Sequence, residues 1–263
     1  MAGLEPPRVS PDEYDEDYYR TACAGHEEWV QSGGAGQADL YKGVLARSGL
    51  GDGMTVCDIG AGRGELVALA VETGAKWAVG VEYSPAAAGL ASRSIAQRKV
   101  GDRAVVALAD ARRLPLPDSC VDLTFMIDVI EHLAPAELAA TLTEAHRVLR
   151  PGGRLVAHTF PTSTIYDVTY RWMRVGARLT GRSWPADPRN DYEHRMHVNE
   201  QTRGGLRSSL RAAGFARPEV QFGQWVHADF VPSARAQAAY RRMAQMTLTK
   251  PLAAADLWVN ATK

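Results

Sequence analysis

An open α/β sheet with helices on both faces is the fold class the 263-residue sequence predicts, and three observations predict it. From residue 54 to residue 159 apolar stretches alternate with helical patterns, the rhythm of strands joined by right-handed crossovers. The stretches are continuous apolar runs, such as Trp77-Ala-Val-Gly-Val81 and Val121 to Ile127, as parallel strands covered on both faces require. Successive stretches end in Asp or Glu, and ligands of doubly wound sheets bind beyond the carboxyl ends of the strands.

The elements follow in order. Residues 1–13, rich in Pro and acidic side chains, read as a loose tail. From Tyr14 to Trp29 the chain is aromatic and acidic, and Ser32-Gly33-Gly34 punctuates it. Leu40, Val44 and Leu45 share one face of a helix predicted from Gln37 to Ser48 and ended by Gly49 and Gly51. The regular series is then strand 54–58, helix 63–73, strand 77–82, helix 85–98, strand 104–109, strand 121–127, helix 135–149 and strand 153–159. Beyond Pro161, Ile165, Val168, Trp172, Val175 and Leu179 recur at three-and-four spacing, which predicts an amphipathic helix over 164–180. Arg171, Arg174, Arg178 and Arg182 form a basic stripe on it. A helix over 200–213, a strand over 218–224, a helical insertion over 233–247 and a last strand from Asp256 to Thr262 complete the chain.

Composition narrows the function classes. Hydrophobic residues make up 46% and charged residues 23%, which excludes wholesale disorder. Thirty Lys and Arg balance thirty Asp and Glu, so the global attraction of a dedicated nucleic-acid or membrane-surface binder is missing. Cys23, Cys57 and Cys120 are too scattered for a disulfide framework or a metal knuckle. The first residues lack a basic segment followed by an apolar one, so no signal peptide is expected. The most apolar stretch, 66–82, is broken by Glu72 and Lys76, and no membrane span is expected. The expected setting is the cytoplasm.

The segment Val56-Cys57-Asp58-Ile59-Gly60-Ala61-Gly62-Arg63-Gly64-Glu65 is a strand, a glycine turn and a helix start. Its G-x-G-x-G spacing departs from the G-x-G-x-x-G of dinucleotide binders, and Glu65 stands where their last glycine would be. A diphosphate there would meet Asp58 and Glu65, whereas a ligand carrying an ammonium and a sulfonium would be favoured. Glu82 closes the second strand, where a carboxylate can accept from both hydroxyls of a ribose. Asp110 closes the third, where it could accept from an adenine amine, and Asp128 closes the fourth.

This acidic quartet, with Leu149-Arg-Pro151-Gly152-Gly153 leading into the fifth strand, resembles the class I S-adenosylmethionine-dependent methyltransferases. It is most similar to their bacterial small-molecule branch, which includes ubiquinone- and menaquinone-pathway enzymes. The resemblance covers 37–160 well and 194–262 loosely. It implies a Rossmann-like, doubly wound sheet of seven strands, mostly parallel with the last antiparallel, and helical lid insertions. The chain then divides into 1–36, a tail and possible lid; 37–160, the cofactor-binding core; 161–216, a helical substrate cover; and 217–263, the last strands with a helical insertion. The family's short hairpin is replaced by residues 226–255. The implied cofactor is S-adenosyl-L-methionine. Asp58, Gly60, Ala61 and Gly62 would cradle its methionine part, Glu82 would bind the ribose, Tyr83 would flank the adenine, Asp110 and Ala111 would meet its edge, and Asp128 would lie near the sulfonium.

Methyl transfer is an in-line displacement that needs the nucleophile about 3 Å from the methyl carbon, and a base only where a proton must leave. His132, directly after the fourth strand, ranks first among His132, His158, His194 and His197, with Glu131 and His197 completing the candidate catalytic set. A base poised near neutrality is worth roughly 100-fold to 10,000-fold; the competing reading is that Glu131-His132 only anchors the loop. With His194 or His197, Asp128-x-x-Glu131-His132 is also similar to the metal constellation of ubiquinone O-methyltransferases and small-RNA 2′-O-methyltransferases; no metal ligand is assigned. Tyr166, Trp172 and His194 are the candidate substrate contacts, with Trp172 equally suited to a core-facing stripe. Tyr18, Tyr19, His26 and Trp29 read as a second lid or as packing on the sheet edge. Nine Arg against five acids between Pro161 and Arg211 suit an anionic substrate or carrier, or a solvated face with Asp167 pairing Arg171. The expected activity is methylation of an O, N or C nucleophile of a small metabolite, with Ala and Arg richness pointing to bacterial specialised metabolism. The alternatives are a metal-dependent RNA 2′-O-methyltransferase, disfavoured by neutrality, and a non-catalytic cofactor-binding subunit. A small-molecule substrate is expected, nucleic acid and membrane are not, and a homodimer is compatible.

Overall fold

In the computed structural model, which describes residues 5–23, 25–32, 39–179, 181–226, 228, 231 and 233–263, the chain opens on two short helices, α1 (Glu16–Thr21) and α2 (His26–Gln31). Asp15 caps α1 by accepting the Tyr18 N–H at 2.8 Å. Helix α3 spans Asp39–Ser48; its predicted start at Gln37 and the Gly33-Gly34 break lie outside the described residues. The doubly wound core follows as β1 (Thr55–Ile59), α4 (Glu65–Glu72), β2 (Trp77–Glu82), α5 (Pro85–Gln97), β3 (Ala104–Leu108), β4 (Val121–Ile127), α6 (Pro135–Val148) and β5 (Leu149–Thr159). Then come α7 (Arg171–Leu179), α8 (Asp191–Met196), α9 (Arg203–Ala212), β6 (Ala216–Phe222), α10 (Ala234–Gln245), α11 (Lys250–Ala253) and β7 (Leu257–Thr262).

The strands pair in the order β3-β2-β1-β4-β5-β7-β6, with β7 antiparallel to both of its neighbours. Strand β1 is flanked by β2 on one side and β4 on the other, so the winding direction reverses there and leaves a crevice at the carboxyl ends of β1 and β4. Side chains alternate between two cores. Val56 faces a cluster with Val44 of α3, Leu66 of α4 and Ile95 of α5, whereas Cys57 and Ile59 face Leu142 of α6 and Leu206 of α9. The three cysteines are free.

Three expectations need correction. The tail is not loose over its described part: Val9 is buried, Pro11–Glu13 forms a 3-10 turn, and the Arg8 N–H donates to Glu137 Oε1 at 2.8 Å. The helix over 164–180 begins as a π-helical segment, Ile165–Tyr170, before α7. From Val168 onward its three-and-four stripe faces solvent, with Trp172 73% and Leu179 84% exposed, and only its first member, Ile165, is buried. What the helix buries besides Ile165 is Tyr166, Tyr170 and Ala177. The tyrosines decide this, because their hydroxyls find partners inside: Tyr166 donates to Glu193 Oε1 and Tyr170 to the Pro185 carbonyl.

Candidate active site

The glycine turn after β1 is shaped by backbone geometry. Gly60 and Gly62 have φ of 77° and 50°, and a Cβ on Gly60 would run into the Val129 side chain. The Gly60 and Ala61 N–H groups donate to the Val81 carbonyl at 2.8 and 3.1 Å, and the Gly62 N–H donates to Glu82 Oε2 at 2.9 Å. These three turn amides are therefore already engaged within the sheet rim and do not point at a pyrophosphate. The repulsion expected from Glu65 is not at the ligand face: Glu65 is buried behind the turn and accepts from Arg63 Nε at 2.8 Å.

Above the turn lies a cavity of about 1090 Å³, and the whole acidic quartet lines it. Glu82 is buried and holds three backbone donors, Gly62, Tyr83 and Ser84. Burial pushes its pKa up and those amides partly offset the push. Asp110 is gripped by Arg112 through Nε and a 2.7 Å contact to Nη2; burial opposes the shift, but these bonds hold its pKa below the usual carboxylate range. Asp58 is different. It is buried, and no described donor reaches its carboxylate. Burial, and then the neighbouring Glu82 carboxylate, raise its pKa to about 7. Ala61, Tyr83 and Ala111 also line the cavity.

The N-terminal segment forms the roof. Tyr14, Tyr18, Tyr19 and His26 line the cavity, and the Tyr83 hydroxyl donates to the Val9 carbonyl at 3.1 Å. Trp29 does not line it but packs against Arg63, whose guanidinium lies 5.3 Å from the indole centroid. Arg63, 1% exposed, also donates to the Tyr19 carbonyl at 3.1 Å, so one buried cation ties the roof to the turn. Sequence reasoning passed over Arg63, though an arginine between two glycines of such a turn was the available signal.

Beyond β4, Asp128 sits in the left-handed region at φ 54°, an uncommon conformation for a residue other than glycine, and its side chain meets His158 of β5. His158 Nδ1 lies 2.5 Å from Asp128 Oδ1, and its Nε2 lies 3.3 Å from Asp256 Oδ2. Burial alone would pull the His158 pKa down, but the two carboxylates outweigh it and lift it to about 10, so the ring donates from both nitrogens. Asp256 is fixed in turn by the Trp258 indole N–H and the Trp225 backbone N–H. Asp256 was missed by sequence reading; its only signal was an acid opening an otherwise apolar strand.

Glu131 is fully buried. Its Oε2 accepts the Thr159 hydroxyl at 2.7 Å, while Oε1 has no partner. Burial and the Asp128 charge raise its pKa to about 8. His132 Nδ1 lies 3.2 Å from the Met196 carbonyl, which places the proton on Nδ1 and leaves the Nε2 lone pair free. The His132 and His197 rings meet edge to face, 4.9 Å between centroids. Burial, then His197, pull the His132 pKa to about 3, so it is not poised near neutrality as expected. Burial lowers His197 as well. One ligand atom from each of Glu131, His132 and His197 falls within 4.8 Å of the others, and the three could hold a divalent cation.

The expected substrate contacts do not converge here. Trp172 is exposed and outside the cavity. His194 is exposed, 3.9 Å from Asp187, and is displaced from the site because the cavity side of α8 carries Tyr192, Glu193 and Met196. Tyr166 stands behind the wall, bonded to the lining residue Glu193.

A family model described as a methyltransferase domain matches residues 57–157. A demethylmenaquinone methyltransferase of Lactiplantibacillus plantarum is 34% identical over 190 residues, covering 68% of this chain and 78% of that protein. The ubiquinone/menaquinone biosynthesis C-methyltransferase UbiE of Laribacter hongkongensis is 28% identical over 186 residues, covering 66% and 72%. Among solved structures, an S-adenosylmethionine dependent methyltransferase from Mesorhizobium loti is similar in fold, with TM-score 0.58 over 86% of this chain and 98% of that one at 20% identity.

Proposed function

The chain belongs to the class I S-adenosylmethionine-dependent methyltransferases, and on that premise we propose that it methylates a small molecule whose nucleophile carries an acidic proton, a phenol or an enol, on oxygen or carbon. The donor set suits the cofactor: Asp58 is a buried carboxylate with no described donor, and the neighbouring amides are already engaged, which favours an ammonium over a phosphate. Asp58 would hold the amino group, Glu82 the ribose, Tyr83, Asp110 and Ala111 the adenine, and Asp128 would face the sulfonium. When bound, the cofactor supplies an electrophilic methyl group on sulfur.

The observation that carries the choice of acceptor is the placement of His132 in the cavity wall, its Nδ1 held by the Met196 carbonyl and its Nε2 bonded to no described group. His132 is neutral, with a free Nε2 lone pair but a pKa near 3. Burial that keeps the ring neutral also weakens it as a base, which matches it to a nucleophile whose proton is acidic, because proton-transfer catalysis weakens as the pKa gap grows. His132 Nε2 accepts the proton, His197 packs against its ring, and Tyr18, Phe160 and Trp225 exclude water from an aromatic acceptor. The names of the relatives in the quinone pathways lie in the same chemical class.

The test is mass spectrometry of phenols, hydroquinones, aliphatic alcohols and amines incubated with enzyme and methyl-deuterated donor. Phenolic or enolic acceptors should gain the label, and His132→Gln should lower kcat by about 100-fold with donor affinity kept. Labelling of alkyl amines alone would overturn the assignment. A second reading is favoured by the Glu131, His132 and His197 cluster: with a divalent cation held there, turnover would be lost in EDTA and restored by added metal.

A further inference from the structure

The helical cover segregates charge that cancels over the whole chain. Residues 165–182 contain Arg171, Arg174, Arg178 and Arg182 against one acid, Asp167; residues 233–255 contain Arg235, Arg241, Arg242 and Lys250 and no acid. The same two segments expose large apolar side chains. Val168 and Val175 are exposed alongside Trp172 and Leu179, and Leu248 is 91% exposed, with Met246 and Leu252 beside it in sequence.

The two segments pack against each other. Thr169 Oγ1 donates to the Leu252 carbonyl at 2.7 Å, and Met173 packs on the cluster of Tyr240 and Ala244 from α10. At about 100° per residue, α7 has three strips. Met173 and Ala177 turn inward, Arg171, Arg174 and Arg178 form a basic strip, and Trp172, Val175 and Leu179 form an apolar strip beside it. The surface adjoins the cavity rim, because the Trp225 carbonyl accepts the Ala255 N–H at 2.9 Å and Trp225 lines the cavity.

We propose that this face docks the protein on an anionic phospholipid bilayer, with α7 lying in the plane of the interface. Exposed apolar side chains of this size on one face mark an interaction site, and a strip of Trp and Leu beside a strip of Arg is the pattern of interfacial helices. Docking of two copies through this face would set arginines against arginines, which the charge count opposes. The proposal concerns surface attachment; no described helix is long and apolar enough to cross a membrane. It departs from the expectation built on net charge, and it does not depend on the methyl acceptor.

The experiment is co-sedimentation of the full chain with vesicles of phosphatidylglycerol and phosphatidylcholine, against phosphatidylcholine alone. The expected result is partition onto anionic vesicles only. Leu179→Glu with Leu248→Glu should weaken it at least about tenfold, and each arginine removed should weaken it about fivefold. Binding of S-adenosylhomocysteine by the double variant reports that it folds. Independently, wild-type tryptophan emission should shift to the blue on anionic vesicles, and the shift should shrink in Trp172→Phe. No partition onto anionic vesicles overturns the proposal, as does partition indifferent to the double substitution. A wild-type dimer that becomes monomeric in the double variant also overturns it, by assigning the face to a second copy.

Discussion

Asp58 and His158 illustrate opposite ways of burying a charge. Asp58 has no described donor, so its carboxylate is costly until a cation arrives. Below about pH 7 the site must first lose a proton to bind an ammonium, so affinity for S-adenosylhomocysteine should fall by about tenfold per unit well below that pH. Calorimetry between pH 5 and 8 reads this slope, and Asp58→Asn should flatten it while weakening binding about 100-fold. His158 is instead a buried cation between Asp128 and Asp256. Its folded pKa, near 10, lies above the unfolded value of about 6.5. The stability it confers is full below that lower value and is lost as pH rises through 10. Urea midpoints should therefore decline from pH 6.5 to 10, and His158→Gln should remove the decline and cost about 3 kcal/mol at pH 7 by leaving two carboxylates without their cation. The quartet itself was legible because each acid ends a strand. The second carboxylate on His158, Asp256, was not, because it reaches His158 across the antiparallel pairing of β5 with β7.

At the scale of elements, the roof over the cavity is held by docking: Val9, Tyr14 and Tyr19 pack on Ala87, Leu90 and Met196, and Ser84 and Arg93 bond the Tyr14 carbonyl and Glu16. Helix α1 has six residues and α2 six, too short to be stable alone, so their position depends on docking. Arg63 supplies the buried polar part of it by binding Glu65, the Tyr19 carbonyl and the Trp29 face together. Arg63→Met should cost about 3 kcal/mol, because it strands a buried Glu65, and limited proteolysis should then cut within 5–32 before the core. Sequence patterning found α4, α5 and α6 to within two residues, since their apolar faces repeat where the sheet buries them. It misjudged α7 for a physical reason: periodicity reports that a face is apolar, and says nothing of whether a neighbour covers it.

Over the whole molecule, neutrality conceals a division of labour. The sheet rim gathers carboxylates around the cavity, while the cover gathers arginines and exposed apolar side chains. The vesicle experiment addresses this scale, because neither segment of the cover carries the whole face. A sum over the chain cannot register such a separation, and fields act over about 8–10 Å at physiological salt, far less than the span of the protein.

By itself the sequence determined the doubly wound sheet, its strand ends and the acidic rim, because period, apolar runs and strand termini are local properties of the chain. Tertiary structure alone decided that Glu65 pairs with Arg63 behind the turn, that His132 is a weak base, that Asp256 completes a triad with His158 and Asp128, and that the stripe of α7 faces outward. Each of these depends on what the rest of the chain packs against the group and on how much water that packing excludes.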